Sequence, residues 1–101
     1  NKSEAEYRQM LGLRPDVFSV DYERLTFKLA DDTRYTPDFI VLTRAGDIEI
    51  HEVKGFMEDD AWVKLKVAAE QFQMFRFFKA IKRAKKHGGG WEVKEVPTPP
   101  T

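Results

Sequence analysis

Three charged side chains stand where buried strand is expected. In "RYTPDFIVLTRAGDIEIHEVKG", from Arg34 to Gly55, Asp38, Glu52 and Lys54 interrupt two otherwise apolar runs. Strand side chains alternate between faces, so Glu52 and Lys54 share one side while His51 and Val53 point to the other. If the two runs pair through Arg44–Asp47, which holds the glycine a tight turn needs, Asp38 comes opposite the Glu52 region. Two carboxylates packed together repel each other and lose hydration, a cost that a hard divalent cation between their oxygens relieves. Magnesium is the obvious candidate. A lysine beside such an ion can orient or help deprotonate a water, or stabilise charge developing on a phosphoryl oxygen. Together these are the parts of a phosphodiesterase.

The elements that must position these groups follow from pattern. Ser3 to Leu11 reads as a first helix, with Ser3 and Glu6 spaced as a capping box and Gly12 and Pro15 closing it. Val17–Tyr22 carries no decisive pattern. Leu25–Leu29 alternates, with Leu25, Phe27 and Leu29 on one face, and Asp31-Asp32 supplies a turn. Tyr35–Thr43 and Ile48–Lys54 follow as strands, and the three together predict an antiparallel meander. Asp59-Asp60 suits a helix N-terminus, with Trp62, Leu65, Ala69 and Phe72 at helical spacing and an end near Gln73. Met74–Ile81 reads as a buried strand, and after Gly88-Gly89-Gly90 the chain resumes as an edge strand, Trp91–Val96. The order αβββαββ predicts an α+β, three-layer α/β/α class. Residues 1–96 make one domain and the Pro-rich 97–101 a tail.

Composition sets the outer bounds. A chain of 101 residues builds one modest core, and 42% hydrophobic with 34% charged residues excludes both a disordered chain and a membrane-spanning helix. The first ten residues are mostly polar and do not read as a signal peptide, and the absence of cysteine fits a reducing compartment, so a cytoplasmic location with no membrane partner is expected. The chain opens at Asn1 rather than methionine, which leaves room for residues upstream. A formal net charge of zero conceals an asymmetry. Residues 1–60 carry 14 acids against 8 Lys/Arg, whereas residues 61–101 carry 3 against 9. Such a split suits a protein that holds a polyanion on one surface and a cation in a carboxylate cluster nearby.

Pro37-Asp38, then Glu52-Val53-Lys54, resembles the PD-(D/E)xK motif of the restriction-endonuclease-like nucleases. The segments "YTPDF", "HEVKG", "DDAWVKLKVAAEQF" and "GGGWEV" further resemble a small phage-associated family of presumed endonucleases related to Holliday-junction resolvases. The resemblance spans nearly the whole chain and implies a restriction-endonuclease-like αβββαβ core with a mixed sheet and an extra C-terminal edge strand. It implies that Asp38 and Glu52 bind magnesium, for which manganese substitutes, with the Val53 carbonyl as a further ligand and Lys54 serving the attacking water. A first-helix glutamate completes the metal shell in many members; Glu4 occupies that place, with Glu6 the competing choice. On the second helix Lys64 or Lys66 would assist near the phosphate, although both also suit the edge of an apolar stripe. The implied activity is magnesium-dependent endonucleolytic cleavage of DNA, favouring branched or junction substrates, by a phage or prophage protein in a bacterial host.

Between Arg76 and His87 lie Arg76, Lys79, Lys82, Arg83, Lys85 and Lys86, with no acid among them. The last four fall beside the glycine triplet and would meet a phosphate backbone, giving affinity without sequence information. Trp62, Phe72, Phe75, Phe77 and Phe78 read as core rather than as base-stacking platforms, Glu23 as solvated charge, and His51 as a satisfied histidine against the opposite helix. Two other readings stay open: a nuclease subunit of a larger recombination or transposition complex, and a non-catalytic nucleic-acid-binding module on the same fold; the partners expected are DNA and either a second copy, as a homodimer, or a larger complex.

Overall fold

A computed structural model of the protein describes residues 1–55 and 59–98, with Asp59 described in its backbone alone. The side chain of Asp59 and the last three residues of the Pro-rich tail therefore lie outside the described residues. The class is α+β. A mixed five-stranded sheet and two helices, α1 (Lys2–Leu13) and α2 (Asp59–Gln71), make up the body, with a separate two-stranded hairpin. The strands are β1 (Val17–Tyr22), β2 (Phe27–Ala30), β3 (Thr33–Tyr35), β4 (Phe39–Thr43), β5 (Ile48–Lys54), β6 (Arg76–Lys82) and β7 (Trp91–Glu95). The main sheet runs β1-β4-β5-β6-β7, antiparallel except for β5 and β6, which α2 joins as a parallel crossover.

The expected meander gives way to another pairing. Leu25–Leu29 does not enter the main sheet; its strand begins at Phe27 and pairs with Thr33–Tyr35. Its alternation specified a strand with one apolar face but not the surface that face would meet. Val17–Tyr22 takes its place at the sheet edge, pairing with β4. A bulge between Val17 and Ser19 shifts the phase of β1, so Val17 is buried while Phe18 is exposed, and this is why no simple alternation marks it. The predicted strand Tyr35–Thr43 is broken at Thr36-Pro37-Asp38, because Pro37 has no N–H for a ladder and restricts the residue before it.

The ends also move. Asn1, not Ser3, caps α1, and Glu4, not Glu6, reaches back to complete the box; the helix starts one residue early and runs through Gly12 to Leu13. α2 stops at Gln71, two residues short of the expected end, and β6 starts at Arg76, leaving Met74 on the surface. The Arg44–Asp47 turn forms as expected, with Gly46 at φ +94°, and Asp47 N–H is held by the Thr43 hydroxyl at 3.0 Å.

The central strand β5 is buried over five consecutive residues, Glu49–Val53, as a strand covered on both faces must be. Ile50 joins Phe77, Trp62, Leu65, Ala68, Ala69 and the hairpin's Phe27 and Tyr35 in one core. Val53 and Ala80, of opposite parity, join Phe39, Val41, Tyr7 and Leu11 in the other. The two helices thus cover opposite faces. Among the described residues no helix is long and apolar enough to cross a membrane.

Candidate metal and catalytic centre

Asp38, Glu52 and Lys54 meet at one end of the β4–β5 pair. Phe39 is the register partner of His51, so Asp38, one residue earlier, stands at the level of Glu52. Both carboxylates are buried. The Asp38 Oδ2 accepts the Val53 N–H at 2.8 Å, its side chain taking the place a ladder carbonyl would fill, and its own carbonyl accepts the Glu23 N–H at 2.8 Å. Glu23 adopts φ +48° to make that contact, a left-handed conformation unfavourable for a residue with a side chain. Its role is therefore played by its backbone at the site's edge.

Glu52 is held by both oxygens. Oε1 accepts the Tyr35 hydroxyl at 2.7 Å and Oε2 lies 3.3 Å from the Lys54 ammonium. Burial, with the Glu52 charge next, pushes the Asp38 carboxyl up to about 7 from an ordinary 3.8, against the opposing Val53 N–H; Glu4 raises it further and Lys54 lowers it. Burial and the Glu52 carboxylate likewise hold the Tyr35 hydroxyl far above its usual range, so it stays a donor. Two buried carboxylates, hard oxygen donors with no sulfur beside them, fit magnesium or manganese among the divalent cations.

The remaining proposed ligand stands apart in its bonding. Glu4 is felt electrostatically by Asp38, but its Oε1 accepts the Tyr22 hydroxyl at 2.7 Å and lies 3.3 Å from the Asn1 nitrogen. The bond from Tyr22 raises that hydroxyl to about 12. Among the described residues no three acidic or histidine side chains already form a closed set of metal ligands. Glu6 points elsewhere and pairs with Lys82 at 3.2 Å. Glu4, Arg8, Tyr22 and Phe39 line a cavity of about 220 Å³ beside this edge.

On α2, the exposed Lys64 donates to the Arg34 carbonyl at 3.1 Å, one residue from Tyr35, and Lys66 is exposed. Neither makes a hydrogen bond or ion pair to Asp38 or Glu52 among the described residues. Lys79 is placed differently from the rest of the basic run. It is the register partner of Glu52 on β6, the strand beside this centre, and its ammonium lies 5.3 Å from the centre of the Trp62 ring.

The basic run as a whole is divided by partners distant in sequence. Arg76 makes a two-pronged pair with Glu95 at 2.9 and 3.0 Å, Lys82 meets Glu6, and Arg83 donates to the Trp91 carbonyl at 2.9 Å. The side chains of Lys85 and Lys86, exposed in a single 3₁₀ turn, have no hydrogen-bond or ion-pair partner among the described residues. A local count of charges missed the acids that α1 and β7 bring alongside.

The opposite face of β5 carries a second polar chain. His51 is 1% exposed. Its Nε2–H donates to Glu49 Oε1 at 2.9 Å and its Nδ1 accepts the Tyr7 hydroxyl at 2.8 Å, the only tautomer that suits an acceptor-only carboxylate. Burial keeps the imidazole below its usual pKa and hence neutral. Arg14 adds two bonds to Glu49 at 2.9 and 3.1 Å. His51 is the satisfied core histidine the strand parity implied.

Two residues at the centre were not singled out from the sequence, Tyr35 and Tyr22. Tyr35 carried a usable signal: a tyrosine at the end of an apolar strand, three residues before the buried Asp38, needs a partner for its hydroxyl. In comparisons with known proteins the chain matches no family model, no curated protein and no solved structure.

Proposed function

We propose that the protein is a magnesium-dependent DNA endonuclease with a restriction-endonuclease-like core of the PD-(D/E)xK type. The observation that carries this reading is the burial of Asp38 and Glu52 at one level of the β4–β5 pair, where burial and the Glu52 charge both push the Asp38 carboxyl up, with Lys54 at 3.3 Å from Glu52. Asp38, Glu52 and the Val53 carbonyl hold the cation, with Glu4 at the edge of its shell. When bound, magnesium acidifies a water and neutralises charge on the phosphoryl oxygens. Lys54, kept on the same strand face as Glu52 by two-residue spacing, orients the attacking water or stabilises charge on the scissile phosphate. Lys79 and the Lys85-Lys86 turn supply positive potential for the DNA backbone, so recognition is led by shape rather than by base sequence. The protein is of phage or prophage origin, and branched or junction DNA is its favoured substrate.

Incubating the purified chain with magnesium and a panel of junction, flap, nicked, duplex and single-stranded DNA tests the proposal. Cleavage of branched substrates, abolished by chelation, is expected. Failure to cut any of them at saturating magnesium or manganese would overturn it.

A further inference from the structure

The β2–β3 hairpin stays out of the main sheet and packs over α2, and its inner face ends in Tyr35. The Tyr35 ring is 6% exposed and stacks on Phe27 at 6.3 Å with 19° between planes, while Phe27 packs on Phe72, Phe75 and Phe77. The hairpin and α2 thus hold the ring, and its hydroxyl donates to Glu52 Oε1 at 2.7 Å. Lys64 fastens the neighbouring Arg34 carbonyl to α2.

We infer that Tyr35 is a positioning residue, delivered by the hairpin, that fixes the orientation of the Glu52 carboxylate for divalent-cation binding; this rests on the metal-dependent reading above. A carboxylate on a strand can rotate about its terminal torsion, whose wells are broad. With Oε1 held by Tyr35 and Oε2 facing Lys54, the plane of the group is set before any cation arrives. Outer partners that orient a ligand in this way typically change metal affinity or activity by ~10–100-fold when removed. Tyr22 makes the same kind of bond to Glu4, but its side chain is 42% exposed and competes with water, so it orients less firmly.

The test is calorimetric titration of the intact chain and of Tyr35→Phe with magnesium and with manganese, in the absence of DNA. The variant keeps the ring and its packing, so its melting temperature in chelator should stay close to the parent's, while cation affinity falls by ~10–100-fold. Cleavage by the variant should recover toward the parent rate as metal is raised, a shift in metal requirement that lost packing would not produce. If the parent binds the cations and the variant binds them within twofold of the parent, the inference fails and the metal-dependent reading stands. If the parent itself binds neither cation, both fail. Should Tyr35→Phe not fold, carbon-13 labelling of the parent's tyrosine rings gives a second arm. The Tyr35 ring carbon bearing the hydroxyl should shift saturably with the calorimetric Kd while that of Tyr7 stays still, and an unmoved Tyr35 signal overturns the inference.

Discussion

Glu49 and Glu52 stand three residues apart on one strand, both buried, and live in opposite electrostatic worlds. Burial pushes Glu49 up, yet the bonds from His51 and Arg14 overcome it and hold the carboxyl at about 2. Glu52 has one neutral donor and one lysine, and it faces Asp38, whose carboxyl is pushed up to about 7. The bonds to the first carboxylate outweigh its burial; at the second pair burial and the mutual repulsion of the carboxylates outweigh the bond from Val53 and the charge of Lys54. Two buried carboxylates that disfavour each other's charge cost stability, and they fit a cation that binds between them. That contrast distinguishes the candidate centre from a structural ion pair more clearly than burial does, since burial is alike on both faces.

The contrast breaks most visibly in activity. Asp38→Ala and Glu52→Ala should each lower cleavage by on the order of 10³-fold or more while the chain stays folded, as removal of a charge-organising group does. Cleavage assays beside thermal melts check this, and full activity in either variant would dissolve the site assignment. Lys54→Ala should lose on the order of 10²-fold in turnover yet keep its cation affinity. Calorimetry separates the two, and a variant that binds metal far more weakly but cuts normally at saturating metal would make Lys54 structural.

On the opposite face the expected damage is to stability. Glu49→Ala removes the shared acceptor of Arg14 and His51 and should cost roughly 3 kcal/mol, toward the low end for a broken buried pair because Arg14 keeps Asp16 and partial access to water. Denaturant melts measure the loss, and cleavage per folded molecule should be nearly unchanged. If Glu49→Ala instead abolished cleavage without unfolding, the division between the two faces would be wrong.

A finer test uses pH without metal. Between 3.8 and about 7 the folded chain keeps a proton on Asp38 that the unfolded chain releases. The contribution of Asp38 is therefore present in full at low pH and lost as pH rises through that window. Glu49 acts in the opposite sense, its contribution vanishing as pH falls from 4.5 toward about 2. Asp38→Asn should flatten the decline above pH 4 and raise stability at pH 8, and an unchanged stability profile would show that the carboxyl pays no such penalty.

The smallest expected effect concerns the DNA backbone. Neutralising Lys85 and Lys86 should reduce the slope of log affinity against log salt by about 1.8 on duplex, roughly 0.9 for each phosphate contact. Lys82 and Arg83, already engaged by Glu6 and the Trp91 carbonyl, should contribute less. An unchanged slope in the double variant would make this turn solvated surface only.

By itself the sequence determined the strand that carries Glu52 and Lys54, the strand Phe39–Thr43 that follows Asp38, the turn between them and the face that Glu52 and Lys54 share. These follow from the two-residue period and from Gly46, both local. It also implied that His51 faces away from Glu52, by the same parity. It did not determine partners separated by many residues. Only the tertiary structure decided that Val17–Tyr22 edges the sheet while Phe27–Ala30 forms a hairpin over α2, because an apolar strand face specifies burial and not its neighbour. The same limit applies to charge. Glu6 and Glu95 answer Lys82 and Arg76 across long stretches of chain, Lys79 comes level with Glu52, and Tyr35 reaches Glu52 from a separate sheet. Counter-charges and hydrogen-bond donors act through a few ångströms of space, so a pattern read along the chain shows which groups need them but not which groups supply them.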